Sequence, residues 1–310
     1  MRSLRRMLVL WSLIACTSGC FITGQATGEH TEWRKMVASP EQFGMRAETV
    51  SIVSGDGINL RALWITADSV ARATVVLAHG QGGNRSYMLS RADFLVRHGY
   101  NAVVLDLRDC GESGGTYTTP GYMEAEDVLA GVRYAKLRQP GMPVAILGHS
   151  AGAVAVLHAG RSRDVAAIVA DAPFASYREM MKRVSAMVQR DSTATRGDKL
   201  GMKVLVIPGM MAFAEWVFRL QTGVSISPHL ADARAAVHRL AGAPVLFIAG
   251  DRDSIATLAG VRELYEEMAP GSMKRLVILP TSHNTFAPPR RSEYEAATLD
   301  FLSAAIHPIR

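Results

Sequence analysis

The feature that most constrains this 310-residue chain is a rhythm: short apolar runs alternate with longer amphipathic stretches through most of its length. Thr74 to Ala78, Ala102 to Leu107, Val144 to Leu147, Ala166 to Ala170, Pro244 to Ala249 and Arg275 to Leu279 read as strands. Ser86 to His98, Tyr122 to Leu137, Ala151 to Arg161, Leu258 to Met268 and Ser292 to Ile306 read as helices. Runs that are apolar throughout belong to strands covered on both sides, so the alternation predicts an α/β chain with a mostly parallel sheet and helices on both faces. Ahead of it, Glu48 to Ser54 and Ile58 to Ala67 flank Gly55-Asp56-Gly57, a pattern that suits an antiparallel hairpin. Phe174 to Leu240 breaks the rhythm and is too long for a plain connection, so an inserted helical cap is expected over about 174–240. With 48% hydrophobic and 20% charged residues the chain can bury a sizeable core and is not disordered. The expected domain spans 48–310, with no internal repeat.

The first twenty residues read as an address. Arg2, Arg5 and Arg6 precede the short apolar run Met7 to Ala15, which has the length of a signal peptide and is too short for a membrane span. Leu13-Ile14-Ala15-Cys16 resembles the lipobox of bacterial lipoproteins, and Thr17-Ser18-Gly19-Cys20 is a weaker second candidate. The expectation is an exported protein, lipid-anchored through Cys16 or Cys20 to a bacterial membrane, on its periplasmic side or at the outer membrane, with 21–47 as a polar tether. Those three arginines supply half of the formal charge of +6, and what remains gives no support to a nucleic-acid partner. Three cysteines, none in a CxxC pair, exclude a disulfide scaffold and suggest neither zinc nor thiol redox chemistry.

The chemistry centres on Gly148-His149-Ser150-Ala151-Gly152, between an apolar strand and a helix. A serine on such a turn projects its hydroxyl beyond the sheet, and small flanking residues relieve the crowding. A serine hydroxyl needs a base, and the base needs an acid to orient it. Downstream lie His158, His229, His238, His283 and His307. His283 follows the last strand in Leu279-Pro280-Thr281-Ser282-His283-Asn284, where it can reach over the sheet's carboxyl edge, and is the candidate base. His158 and His238 sit in helical patterns, His229 in the cap and His307 near the terminus, while His149 reads as a packing residue. For the acid, Gly250-Asp251-Arg252-Asp253 follows a strand: Asp253 lies in the body of the loop, whereas Asp251 is expected to cap the turn or meet solvent. Asp171 is assigned local hydrogen bonding at its strand end. Backbone amides can hold a developing oxyanion, and those of Gln81, in His79-Gly80-Gln81-Gly82-Gly83-Asn84, and of Ala151 are the expected donors.

Gly80-Gln81-Gly82 with Asp106 partly mimics a dinucleotide fingerprint, but Arg85 stands at the third glycine. No GxxxxGK[ST] or HExxH sequence is present, so neither phosphate transfer nor zinc hydrolysis is supported and no cofactor or metal is expected.

Taken in order, these motifs resemble the α/β-hydrolase-fold serine hydrolases, in particular the esterase, lipase and serine-aminopeptidase-like group. The resemblance runs from about Glu48 to Ile306. His79 to Gly83 looks like the HGxxG oxyanion loop, Asp106 to Gly114 like the D-x-R-G-x-G-x-S segment, Gly148 to Gly152 like the nucleophile elbow, Gly250 to Asp253 like the acid loop, and His283 like the terminal histidine. Asp109 and Cys110 depart from it, since they stand where a glycine and a variable residue are usual, and no proline follows Asp253 at the usual interval. The resemblance implies an α/β-hydrolase fold, a Ser150–His283–Asp253 triad, an acyl-enzyme and no cofactor. Carboxylic ester cleavage on a small-molecule or lipid acyl substrate is the leading expectation. A peptidase, thioesterase or acyltransferase on the same triad, or a non-catalytic exported binding protein, are the alternatives. Pro208 to Phe218, rich in Met and aromatics, suggests either an acyl-binding or membrane-facing lid or ordinary helix packing.

Overall fold

The computed structural model describes residues 31–225 and 232–306; Cys16, Cys20, His229 and His307 lie outside them. Eight strands form one sheet: β1 (Ala47–Val53), β2 (Asn59–Ile65), β3 (Ala73–Ala78), β4 (Tyr100–Leu105), β5 (Val144–His149), β6 (Ala167–Asp171), β7 (Val245–Gly250) and β8 (Lys274–Leu279). Their spatial order is β1-β2-β4-β3-β5-β6-β7-β8. The β1–β2 and β2–β4 pairs are antiparallel and every other pair is parallel. Every residue of β3, β4, β6 and β7 is buried, whereas β1 at the sheet's edge has exposed positions between buried ones. The all-apolar runs are therefore the covered strands, as their composition implies.

Side-chain alternation along the strands assigns the helices to faces. Val75, Leu77, Leu147, Val169 and Ile248 share one hydrophobic cluster with α1 (Leu89–Arg97) and α9 (Arg291–Ala305), through Phe94, Leu95, Tyr294 and Phe301. On the other face, α2 (Glu124–Arg138) brings Gly131 against Val76, α3 (Ala151–Ala159) ends with Gly160 against Ile168, and Tyr265 of α8 (Leu258–Glu267) meets Phe247 edge-on. The short α7 (Ala233–Val237) also belongs here, because the amide of Ala241 donates to Gly160 at 2.9 Å. Residues 233–240, inside the expected cap, thus belong to the sheet domain instead.

Between β6 and α7 the chain forms a separate compact unit of α4 (Tyr177–Arg190), α5 (Arg196–Leu205) and α6 (Met210–Thr222). Met202, Leu205 and Met211 form its small core, backed by Tyr177, Met181, Val184 and Val188. Thr195 caps α5 in a reciprocal box with Asp198, and Ser185 donates to the carbonyl of Met202 at 2.9 Å. Burial pushes the Glu215 carboxyl up to about 7, against the opposing charge of Arg178. Among the described residues no single helix is long and apolar enough to cross a membrane.

The N-terminal stretch expected as a tether is seated on the sheet domain from residue 31 onward. Thr31–Arg34 is a helical turn, and Arg34 reaches the Asp109 carboxylate at 3.1 Å and the Gly111 carbonyl at 3.1 Å. Polar composition suggested a solvated linker, but the backbone of this strap and the Arg34 guanidinium are taken up by loops that follow β3 and β4.

Candidate active site

Ser150 lies between β5 and α3 with φ 56° and ψ −118°, a left-handed backbone that a non-glycine residue adopts only under constraint. The constraint is visible on both sides. A Cβ on Gly148 would lie 2.1 Å from the Gly152 carbonyl oxygen, and one on Gly152 would lie 2.4 Å from that of Ala78. Strand, turn and helix can close this tightly only because both positions lack a side chain. The amide of Ser150 donates to the Asp171 carbonyl at 2.8 Å, which ties the elbow to the end of β6.

The loops after β7 and β8 meet at this serine. His283 Nε2 is 2.9 Å from Ser150 Oγ, and His283 Nδ1 is 2.7 Å from Asp253 Oδ2. Because an ionised carboxylate only accepts, Nδ1 carries the proton toward Asp253 and leaves Nε2 to accept from the serine hydroxyl. Asp253 is 5% exposed, and its other oxygen accepts the amides of Ile255 at 2.8 Å and Ala256 at 2.9 Å. Two backbone donors and one imidazole fix the carboxylate in a single orientation. Asp251 does not approach His283: it is exposed and pairs with Arg252 at 3.4 Å.

Gln81 and Ala151 border one pocket, together with Gly80, Gly82, Leu107 and Cys110. The loop carrying Gln81 is held from below by His79, which is 1% exposed. His79 Nε2 accepts the Leu107 amide at 3.1 Å, so its Nδ1 is the nitrogen that donates to the Gly80 carbonyl at 2.8 Å. Burial lowers the His79 pKa, in keeping with a neutral ring that both donates and accepts. Burial also raises the Cys110 pKa, reinforced by nearby carboxylates, so this thiol stays protonated and offers no competing nucleophile.

The same loop is held from outside by the strap. Asn84, fully buried, donates to the carbonyls of Trp33 at 3.1 Å and Lys35 at 2.9 Å while accepting the Ser86 amide at 3.0 Å. Gly82 has φ +75°, and a Cβ there would lie 3.1 Å from Trp33 Nε1. Asp109, which departs from the glycine of the resembled segment, has a left-handed backbone at φ 57° and is met by Arg34. Nothing in the sequence connects residues 33–34 with positions fifty to eighty residues away, so sequence reasoning missed them.

Arg85 and Asp106, which spoil and mimic a dinucleotide fingerprint respectively, are bonded to each other. The Arg85 amide donates to Asp106 at 2.7 Å, its Nη1 pairs with the same carboxylate, and its Nη2 donates to Glu112 at 2.6 Å. The acid a ribose would need is already occupied. Among the described residues, no group of three or more His, Cys, Asp or Glu side chains could hold a metal ion.

Two sequence assignments need correction. His149 is no mere packing residue: Nδ1 is 3.1 Å from Asp171 Oδ2, and its ring centroid is 5.1 Å from that of His283. Asp171 is not limited to local bonds either, since it also receives Arg91 at 2.7 Å, Tyr294 at 3.2 Å and the hydroxyl of Thr285. These partners are distant in sequence and converge only because α1, α9 and the loop after β8 share a face with β6. His158 is buried edge-on to Tyr122, and His238 faces Glu267 at 3.5 Å, both away from the serine's partners.

Comparison with known proteins decides the fold. The computed structure superposes on the Pyrococcus furiosus esterase Pf2001 with a TM-score of 0.70 at 23% identity, covering 88% of this chain and 96% of that one. The chain has the α/β-hydrolase fold. Residues 69–201 of the chain match the family described as serine aminopeptidase, S33. It is also similar to the uncharacterized protein YfhR of Escherichia coli K12, at 23% identity over 274 residues, 84% of this chain and 82% of that one. The uncharacterized protein YqkD of Bacillus subtilis matches at 25% over 237 residues, 73% and 70% of the two chains.

Proposed function

We propose that this protein is a serine hydrolase acting on carboxylic esters through Ser150, His283 and Asp253. The observation that carries the reading is the continuous chain from Ser150 Oγ to His283 Nε2 at 2.9 Å and from His283 Nδ1 to Asp253 at 2.7 Å. His283 takes the hydroxyl proton as Ser150 Oγ bonds to the acyl carbon, and the carbonyl electrons move onto oxygen. The amides of Gln81 and Ala151 receive that oxyanion. The bond to the leaving oxygen then breaks as His283 Nε2 returns the proton to it, releasing an alcohol and leaving an acyl-serine. Water, deprotonated by His283, attacks the acyl carbon, and collapse frees the acid and restores the serine. Asp253 stays ionised throughout and stabilises the imidazolium. The esterase among the structural neighbours and the matched serine aminopeptidase family support hydrolysis over a binding role.

Fluorophosphonate labelling of the full chain, beside Ser150→Ala and His283→Ala, tests the reading, followed by turnover of p-nitrophenyl esters of graded chain length. Labelling and turnover lost in both variants is the expected result; a folded wild-type protein that neither labels nor turns over overturns it. Turnover of thioesters or aminoacyl amides in preference to esters, or transfer to an added alcohol, would move the substrate class to the peptidase, thioesterase or acyltransferase alternative on the same residues. The reading places the enzyme outside the cytoplasm, acylated at Cys16 or Cys20; incorporation of a palmitate analogue that disappears with serine at one of these positions is the expected outcome.

A further inference from the structure

We propose that Asp171 is a positioning residue that keeps the nucleophile and its base in register, acting through His149 on the serine side and Thr285 on the histidine side. This rests on the reading of Ser150 and His283 as the reacting pair.

Ser150 and His283 come from loops that follow different strands, so the 2.9 Å contact between them needs something that fixes one loop against the other. Asp171 ends β6, beside β5, and is fully buried. Its carbonyl accepts the Ser150 amide at 2.8 Å, which sets the elbow. One carboxylate oxygen accepts the hydroxyl of Thr285, whose own amide donates to the His283 carbonyl at 3.2 Å, so the base's loop is set by the same residue. The other oxygen faces His149 Nδ1 at 3.1 Å, Arg91 at 2.7 Å and Tyr294 at 3.2 Å. One residue thus holds the backbone of the nucleophile, the side chain next to it and the loop of the base.

The charges agree with this role. Burial would raise the Asp171 pKa, but the Arg91 guanidinium and the hydrogen bonds from His149 and Thr285 outweigh it and hold the carboxyl well below the ordinary range. Asp171 is therefore a fixed anion. Burial lowers the His149 pKa against the pull of Asp171, with Arg91 and His283 lowering it further. A neutral His149 with Nδ1–H directed at Asp171 packs beside His283 without opposing the imidazolium that forms there. Asp171, Arg91 and His283 are the charged or titratable groups acting on the His149 ring.

The test compares Thr285→Val and Asp171→Asn in the full chain, by kcat, KM and the pH dependence of kcat/KM on a p-nitrophenyl ester. Thr285→Val cuts only the loop tether, so kcat should fall about tenfold with KM within twofold and an unmoved acid limb. Asp171→Asn also removes an anion near His283 and leaves Arg91 uncompensated, so kcat should fall further and the acid limb should move to lower pH. A purely structural role would lower the melting temperature without moving the limb. Wild-type values of kcat in Thr285→Val overturn the proposal, as does a folded Asp171→Asn with an unshifted profile; if that variant does not fold, Thr285→Val decides alone. A wild-type protein with no turnover overturns the hydrolase reading and this one with it, whereas turnover left unchanged in the variants overturns this one only.

Discussion

The sheet domain and the helical unit of residues 177–222 solve different problems with different materials. At the carboxyl ends of the strands, buried acids are matched one by one with arginines: Asp106 with Arg85, Asp127 with Arg108 at 2.7 Å, Asp171 with Arg91 at 2.7 Å. Arg108 and Asp127 are both wholly inaccessible. The helical unit instead buries apolar side chains such as Met180, Met202, Leu205, Met211 and Phe218, and leaves Met187, Leu200, Ile207, Trp216 and Leu220 exposed. Where the geometry of reacting atoms must be held, each loop is fixed by several directional bonds. Where it need not be, amphipathic periodicity is enough. Substitutions should therefore have large effects in the first region and small ones in the second.

The largest effect belongs to Ser150→Ala, which should lower kcat/KM by about 10⁴-fold or more while leaving the melting temperature near that of the wild type. Next comes Arg108→Met. It strands Asp127 and Glu124 among buried neighbours and should cost about 3–5 kcal/mol in denaturant unfolding; a loss below 1 kcal/mol would show that the buried pair is not needed for the fold. Third is Trp33→Ala, which removes the ring packed on Gly82 and should reduce kcat about tenfold through a looser Gln81 amide, an effect on the order of 1.4 kcal/mol. An unchanged kcat would show that the strap merely covers the loop.

The helical unit supplies the two smallest effects. The folded carboxyl of Glu215 is raised to about 7, above an ordinary value of 4.5. Its contribution is fully present below about 4.5 and is lost as the pH rises through 7. Glu215→Gln should therefore melt higher than the wild type at pH 8 and no higher at pH 4, by paired thermal scans. Trp216→Ala, at an exposed position, should change stability by less than about 0.5 kcal/mol. A loss of several kcal/mol there would break the comparison.

Much of the sheet domain was legible because its signals are local. Each strand that is apolar throughout stands between helices with their own periodicity, and Gly148, Ser150 and Gly152 announce the elbow by spacing alone. Asp253 and His283 could be picked out because each follows a strand in a loop that reaches the carboxyl edge of the sheet. What stayed hidden was non-local. Asp171 looked ordinary because Arg91, Thr285 and Tyr294 lie up to 123 residues away and meet it only in the folded sheet, and His149 because its partners Asp171 and His283 are likewise distant in sequence. Trp33 and Arg34 sit in a polar stretch that composition alone reads as linker; their function is set by Asn84 and Asp109, and no periodicity points to either. The boundary near residue 233 was missed because the pattern of α7 matches that of the inserted helices, while its packing on α3 does not.

The central claim is that Ser150 becomes acylated with His283 as its base. Rapid-quench reaction of the full chain with p-nitrophenyl acetate, followed by mass analysis of the peptide containing Ser150, tests it most directly. The account predicts an acetyl group on Ser150 that forms at the rate of the p-nitrophenol burst, decays at the steady-state rate and is absent in His283→Ala. Turnover without any acetyl-serine, or with the acetyl group on another residue, would contradict it.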